Sequence, residues 1–139
     1  MNARNAALSI WILSFVASLG SLFFSQVMKL APCELCWYQR IALFPIVILL
    51  PIALLKNEIE VFGKYLTALI LAGTSFSAYH NLLYYEFIPK TLSPCREGAS
   101  CTERHIEFFG FIGIPLMSLV TFAFMLVVCA LFLCRNRKQ

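Results

Sequence analysis

Long runs without a charged residue constrain this chain more than any other feature of its sequence. No residue between Arg4 and Lys29 is charged, and a helix over that run is about 36 Å long, enough to cross the roughly 30 Å hydrocarbon core of a bilayer. Arg4 and Trp11 lie toward one end of the run, as interfacial anchors do. Because the run exceeds the roughly 7–15 apolar residues of a cleaved signal peptide, the sequence predicts a retained span.

Composition extends this prediction to the whole chain. Of its 139 residues, 60% are hydrophobic and 13% are charged, whereas about a quarter of the residues in a soluble domain are charged. Most of the net charge of +4 lies at the chain ends and does not indicate nucleic-acid binding. We expect an all-α integral membrane four-helix bundle that forms a single domain over residues 1–139. The predicted spans are residues 7–28, 37–55, 65–85 and 114–133, with residues 56–64 forming a tight polar turn.

The second span is predicted to place a cation inside the membrane edge. Its uncharged part, residues 41–55, is too short to cross a bilayer, so we extend the span back to Trp37, which includes Arg40. Pro45 and Pro51 should bend this helix, and neighbouring helices are expected to satisfy the carbonyls that prolines leave without donors.

Two cysteine pairs are predicted to face the same side of the membrane. Cys33 and Cys36 lie between the first and second spans, and Cys95 and Cys101 lie between the third and fourth. With alternating crossings these two loops share a side. Disulfides persist outside the cytosol, and the basic C-terminal tail favours a cytoplasmic C-terminus. We therefore expect extracytoplasmic cysteine loops and cytoplasmic N- and C-termini.

The first pair has features of activated thiols. Pro32 and the apolar run after Cys33 predict a helix that begins at the motif, where exposed N–H groups stabilise a thiolate. Cys36 lies one turn further, four residues before Arg40. Glu34 opposes both effects in part. The residues therefore indicate two activated sulfurs without ranking them.

Structural roles for the cysteines are weaker alternatives. A four-cysteine zinc site is disfavoured because two spans separate the pairs, and no metal is predicted. A disulfide between Cys33 and Cys36 closes too short a ring to stabilise the fold much. Cys129 and Cys134 are five residues apart, about 8.6 Å along a helix and beyond disulfide reach, so we expect inert or lipidated thiols.

The remaining interpretation is thiol–disulfide exchange between the pairs. Two electrons would move toward Cys33 and Cys36, and the sequence has no haem motif to accept them. The predicted acceptor is a membrane quinone bound near Arg40 and His80, with Cys36 close to its ring. Alternatively, Arg40 reaches lipid headgroups, and His80 is a hydrogen-bonded histidine of the bundle. A proton-coupled transporter is disfavoured because no carboxylate lies within a span.

These residues resemble a known family. Residues 33–40, Cys-Glu-Leu-Cys-Trp-Tyr-Gln-Arg, are similar to the first-loop signature of the bacterial disulfide bond formation protein B family, especially its short Bacillus-type form, disulfide formation protein C. The second cysteine pair and the four spans extend the resemblance over nearly the whole chain. It implies a quinone-dependent thiol–disulfide oxidoreductase of the bacterial cell membrane. Its partner would be a thioredoxin-like extracytoplasmic dithiol oxidase, and the pair would support disulfide formation in secreted proteins.

The resemblance also implies individual roles. Cys95 would be attacked by the partner, Cys101 would pass electrons to Cys33, and Cys36 would face menaquinone or ubiquinone together with Arg40. Only five residues separate Cys95 from Cys101, which leaves no room for the membrane-lying helix of the enteric form. Two alternatives stay open: a quinone-coupled thiol oxidase like vitamin K epoxide reductase, whose CxxC usually follows its loop pair, and a non-enzymatic, disulfide-stapled tetraspan protein.

Overall fold

The structure, a computed structural model, describes residues 2–92, 95, 107–108 and 112–136. Its helices are α1 (Ala3–Gln26), α2 (Glu34–Lys56), α3 (Ile59–Tyr84) and α4 (Ile114–Asn136). Between α3 and α4 lie a 3-10 turn (Lys90–Leu92) and a two-residue antiparallel ladder of β1 (Glu107–Phe108) with β2 (Ile112–Gly113). All four helices are long and apolar enough to cross a membrane. The predicted all-α, multi-pass membrane protein is confirmed; the ladder is too short to leave a periodic signal in the sequence.

The helices pack in a ring in which each has two main neighbours. Helices α1 and α3 each pack against α2 and α4, whereas the diagonal contact between α1 and α3 is slight. The inner faces meet in one buried cluster, which includes Ile46 and Leu50 of α2, Ile70 of α3, and Phe122 and Met125 of α4. Because α2 and α3 are antiparallel neighbours, the start of α2 lies beside the end of α3.

Trp11 of α1 satisfies a carbonyl that a proline of α2 leaves without its helical donor. Proline has no N–H, so Pro51 cannot donate to the carbonyl of Val47, four residues earlier. The indole Nε1 of Trp11 donates to that carbonyl at 3.1 Å. The expectation that neighbouring helices satisfy freed carbonyls is confirmed at this position. Trp11 therefore joins two helices, a role beyond that of the interfacial anchor that the sequence suggested.

The predicted polar turn over residues 56–64 is wrong in its extent. Helix α2 ends at Lys56, Asn57 takes a left-handed conformation with φ 58°, and α3 already begins at Ile59. The charged residues of this segment are exposed: Lys56 ends α2, Glu58 precedes α3, and Glu60 and Lys64 lie on the first turns of α3. Ile59 and Phe62 pack against the main cluster. Charged residues at a helix end can remain in water. They therefore mark where a membrane span ends, but the helix itself can continue past them.

Polar contacts hold α3 and α4 together near the candidate site. The hydroxyls of Ser77 and Ser118 lie 2.7 Å apart. The amide Nδ2 of Asn81 donates to the carbonyl of Pro115 at 2.7 Å. Proline at the start of α4 suits a first helical turn, and the bond from Asn81 attaches that turn to α3. These contacts fix the end of α3 that carries His80.

Candidate active site

Two cysteines lie where the chain changes from extended to helical at the start of α2. Cys33 caps the helix with φ −70° and ψ 167°, and its carbonyl accepts a hydrogen bond from the backbone N–H of Trp37 at 3.2 Å. Cys36 follows one turn later, and the two sulfurs lie 3.1 Å apart as free thiols. Cys33 is buried and Cys36 is half-buried. The predicted position of Cys33 at a helix N-terminus is confirmed.

A histidine from α3 and a glutamine from α2 extend this pair into a chain of contacts. Nε2 of His80 lies 3.8 Å from the sulfur of Cys33, and the amide Nε2 of Gln39 lies 3.2 Å from Nδ1 of the same ring. His80 and Gln39 are 3% and 8% exposed, so water does not compete freely for these contacts. When the glutamine amide donates to Nδ1, the ring proton is on Nε2 and faces the sulfur.

The surroundings of Cys33 favour its thiolate. The hydrogen bond with Cys36 lowers the pKa of Cys33 the most. Burial raises this pKa, and the hydrogen bond and charge of His80 lower it further. Together they lower the pKa of Cys33 from 9.0 to about 4. These contacts therefore favour the thiolate form of Cys33 at neutral pH. A quinone contact for His80 stays a prediction; the structure brings its ring to 3.8 Å from the sulfur of Cys33.

Arg40 is buried between α1 and α2, with 8% of its surface exposed. Its Nε donates to the hydroxyl of Ser21 at 2.7 Å, and a terminal nitrogen donates to the carbonyl of Ser21 at 2.7 Å. Its guanidinium carbon also lies 5.4 Å from the ring centroid of Trp37, a cation–π distance. A side chain held in this way is fixed within the bundle. This arrangement does not favour the alternative in which Arg40 extends to lipid headgroups.

One cavity of about 290 Å³ brings the predicted inner-site residues together. Its lining includes both sulfur-bearing residues of the first pair, Arg40, His80 and Gln39. Most of the remaining wall is apolar and comes from α1, α2 and α4, including Phe24, Leu43, Ile114, Met117 and Phe122. A pocket with apolar walls and a few polar groups is typical of a site for a small, largely apolar molecule.

The second cysteine pair is described in part. Cys95 forms a disulfide, whereas Cys33, Cys36 and Cys129 are free thiols. Cys95 packs against the small cluster of Cys33, Leu35 and Leu83, as Cys36 also does. Cys101 lies outside the described residues. The structure therefore places one residue of the outer pair on the hydrophobic cluster that includes Cys33.

The cysteines of α4 lie apart from this site. Cys129 is buried, and its sulfur lies 3.0 Å from the hydroxyl of Thr67 on α3. Thr67 and Cys129 do not line the cavity. The side chain of Cys134 lies outside the described residues. An inert role for both cysteines stays a prediction.

Two polar residues of the site were missed from the sequence. Ser21 is an uncharged residue of the first predicted span, yet it binds Arg40. Gln39 was passed over although it is an uncharged polar residue within a predicted span. A buried amide or guanidinium needs hydrogen-bond partners. This requirement indicates that Gln39 and Arg40 have hydrogen-bond partners inside the bundle, but the sequence does not identify those partners.

Comparison with known proteins gives a consistent match over nearly the whole chain. The family model described as disulfide bond formation protein DsbB matches residues 3–132. Disulfide bond formation protein C of Bacillus subtilis (strain 168) is 38% identical over 131 residues, which cover 93% of this chain and 91% of the relative.

Two further relatives have similar names. A probable disulfide formation protein of Oceanobacillus iheyensis is 39% identical over 134 residues, covering 94% of this chain and 90% of the relative. One from Metapseudomonas resinovorans is 34% identical over 134 residues, covering 96% and 91%. No solved structure matches the chain significantly.

Proposed function

This chain belongs to the DsbB family and is a membrane thiol–disulfide oxidoreductase of disulfide bond formation, and we propose that it couples an extracytoplasmic dithiol oxidase to a membrane quinone. In this proposal the partner is a thioredoxin-like protein that oxidises secreted proteins. Electrons pass from the partner through Cys95 and Cys101 to Cys33 and Cys36, and then to the quinone. The family assignment favours this function over the one like vitamin K epoxide reductase.

The observation that carries the proposal is that Cys95 packs against the same hydrophobic cluster as the inner cysteine pair. Disulfide-bonded Cys95 packs on the same small cluster as the free thiols of Cys33 and Cys36. Thiol–disulfide exchange requires a thiolate to reach a disulfide sulfur, and rate depends on that access. Packing on one hydrophobic cluster keeps the outer disulfide near the inner pair, as exchange requires.

Exchange between the pairs balances without another reactant. The two thiols of the partner become a disulfide as the proposed disulfide of Cys95 and Cys101 becomes two thiols. Those thiols then form a disulfide again as the disulfide between Cys33 and Cys36 is reduced. Each transfer proceeds through a mixed disulfide and moves two electrons and two protons. The depressed pKa of Cys33 makes it a good leaving sulfur when Cys95 attacks the mixed disulfide between Cys101 and Cys33.

The residues that line the cavity beside the inner pair have the chemistry expected of a site for a quinone ring. Its walls are largely apolar, and its polar residues include Cys36, Arg40 and His80. When bound there, a quinone supplies a two-electron, two-proton acceptor for the inner dithiol. Arg40 would provide positive charge and N–H donors for a quinone oxygen, while Ser21 holds the guanidinium in place.

Orientation follows from the proposed chemistry. We propose that the cysteine-bearing ends of the bundle are extracytoplasmic in the bacterial cell membrane, that both termini are cytoplasmic, and that the four spans act as a single domain. An extracytoplasmic partner can then reach Cys95, while the quinone enters the cavity from the bilayer. Disulfides persist on that side of the membrane.

A reconstituted assay tests the function. Purified protein in a membrane mimic is mixed with a reduced thioredoxin-like dithiol protein and with ubiquinone or menaquinone, and quinone absorbance is followed. We expect one quinone to be reduced for each partner disulfide formed. Cys33→Ser should abolish turnover, and Cys129→Ser is the matched control that should retain it. Failure to reduce either quinone, with the partner still being oxidised, would overturn the proposed acceptor.

A further inference from the structure

The inner pair and His80 together form a cluster of three residues of the types that bind metal ions. One ligand atom from each of Cys33, Cys36 and His80 lies within 4.8 Å of the others. The two sulfurs are 3.1 Å apart, and Nε2 of His80 is 3.8 Å from the sulfur of Cys33. We propose that the reduced protein binds one Zn²⁺ ion through these three residues, and that the bound ion holds the pair in its reduced state.

The distances are close to those that zinc requires. Tetrahedral zinc with Zn–S bonds of about 2.3 Å and Zn–N bonds of about 2.0–2.1 Å separates two sulfurs by about 3.8 Å and a sulfur from a nitrogen by about 3.5 Å. Cys33 and Cys36 therefore need to open by less than about 1 Å, and His80 needs to approach by a few tenths of an ångström. Because Cys33 lies outside the helix and Cys36 inside it, a side-chain rotation can supply this movement.

The ligand set is a known zinc combination. Two cysteines at C-x₂-C spacing with a histidine, plus one open position, match the three-protein-ligand type of zinc site. This site differs from the four-cysteine arrangement considered from the sequence, because its third ligand comes from α3 and is not a cysteine of the outer loop. Residues of the proposed set also line the cavity, which gives the fourth position access to water or a small ligand.

Gln39 is suited to support the histidine as a metal ligand. Histidine that binds zinc through Nε2 carries its proton on Nδ1, and that proton usually has an acceptor. The side-chain amide of Gln39 lies 3.2 Å from Nδ1 of His80. An amide offers either a donor nitrogen or, after a half-turn, an acceptor oxygen. Gln39 can therefore support His80 both with the metal and without it.

Charge balance favours the bound ion in this buried place. Two thiolates and one Zn²⁺ sum to zero, so binding leaves no net charge among largely buried ligands, where an unpaired charge is costly. The positive charge of Arg40 is engaged by Ser21 and lies over Trp37. A disulfide has no thiolates to offer, so Zn²⁺ binds the reduced pair alone and stabilises it by mass action.

Metal titration tests this proposal without quinone or partner. The full chain, carrying Cys95→Ser and Cys101→Ser so that outer thiols do not compete, is reduced, desalted without oxygen and titrated with Cd²⁺. We expect one thiolate-to-cadmium charge-transfer band that saturates at one equivalent and is displaced by Zn²⁺. The oxidised protein should show no band. Binding of equal strength to the oxidised protein, or no saturable binding to the reduced one, would overturn the site.

Variants identify the ligands. Cys36→Ser should abolish the saturable band, and His80→Asn should weaken Zn²⁺ binding by at least about tenfold. Cys129→Ser, which removes a buried thiol outside the cavity, should leave binding unchanged. Unchanged affinity in His80→Asn would show that the dithiol binds alone and would reject the proposed site. If His80→Asn does not fold, Gln39→Leu replaces it, with an expected loss of about tenfold and with unchanged affinity again rejecting the site.

Discussion

The side-chain amide of Gln39 lies 3.2 Å from Nδ1 of His80, and the far side of the same ring lies 3.8 Å from the sulfur of Cys33. The first two of these residues come from different helices and are buried. When the amide donates to Nδ1, the ring proton lies on Nε2 and faces the sulfur of Cys33. We therefore predict that Gln39 is a positioning residue for Cys33.

Replacing Gln39 by leucine tests that role. Without the amide donor, the ring proton can move to Nδ1, and His80 then stabilises the Cys33 thiolate less. We expect alkylation of Cys33 at pH 5–6 to slow by roughly threefold to tenfold, measured by mass spectrometry of the labelled peptide. Gln39→Glu should keep alkylation fast, because a carboxylate favours the charged imidazolium. Equal pH profiles for wild type and Gln39→Leu would contradict the role.

The depressed pKa of Cys33 predicts an acid-shifted reactivity. Alkylation requires the thiolate, so the rate should be maintained at neutral pH and be lost as the pH falls through about 4, whereas an ordinary cysteine loses it near 9.0. Because the folded-state pKa is lowered, the associated stability of the reduced protein is fully present above about 9 and declines as the pH falls toward 4. Cys36→Ala removes the hydrogen bond that lowers the pKa of Cys33 the most, so the midpoint of the pH profile for alkylation should move upward. A midpoint near the ordinary value in wild type would refute the assignment.

Arg40 is predicted to act on the quinone and not on the partner. Arg40→Ala should raise the apparent KM for quinone with a smaller effect on the KM for the reduced partner, measured in the reconstituted assay. Arg40→Lys should retain only part of the function, because an ammonium keeps the positive charge but lacks the planar fork that binds Ser21. Ser21→Ala removes one of two contacts and should have a milder effect than Arg40→Ala. If Arg40→Ala lowers membrane insertion alone, the residue is an interfacial anchor.

The four predicted redox cysteines should each be required for activity. Serine at any of the positions of Cys33, Cys36, Cys95 and Cys101 should abolish oxidation of secreted proteins, because each transfer needs both sulfurs of a pair. The measurement is the fraction of a disulfide-containing reporter that is oxidised in cells. Cys129→Ser should retain activity. Full activity with Cys33→Ser would end the exchange proposal.

Gly73 is predicted to be a packing position between α3 and α4. A Cβ at Gly73 would overlap the ring of buried Phe122, so Gly73→Ala should destabilise the bundle by about 1–3 kcal/mol. Gly63→Ala is the matched control, because nothing lies within 4 Å of a Cβ there and alanine favours a helix. Thermal unfolding in a membrane mimic compares the two. Phe122→Leu should offset part of the loss in Gly73→Ala; equal stability of the two glycine variants would contradict the packing role.

The sequence by itself determined the membrane class, the number of helices and the start of α2. Those features depend on long uncharged runs and on Pro32 and Cys33, which act locally and need no knowledge of the neighbours. The same reasoning failed at residues 56–64, because charge there marks the end of a span while the helix itself already begins at Ile59.

Tertiary structure alone decided which polar groups meet. The contacts of His80 with Cys33 and Gln39, of Arg40 with Ser21, and of Trp11 with Val47 each join different helices. Helices made for a bilayer are apolar on most sides, so the hydrophobic pattern does not show which face turns inward. The few buried polar groups must still find partners, and only the packing of the four helices determines which partners are within reach.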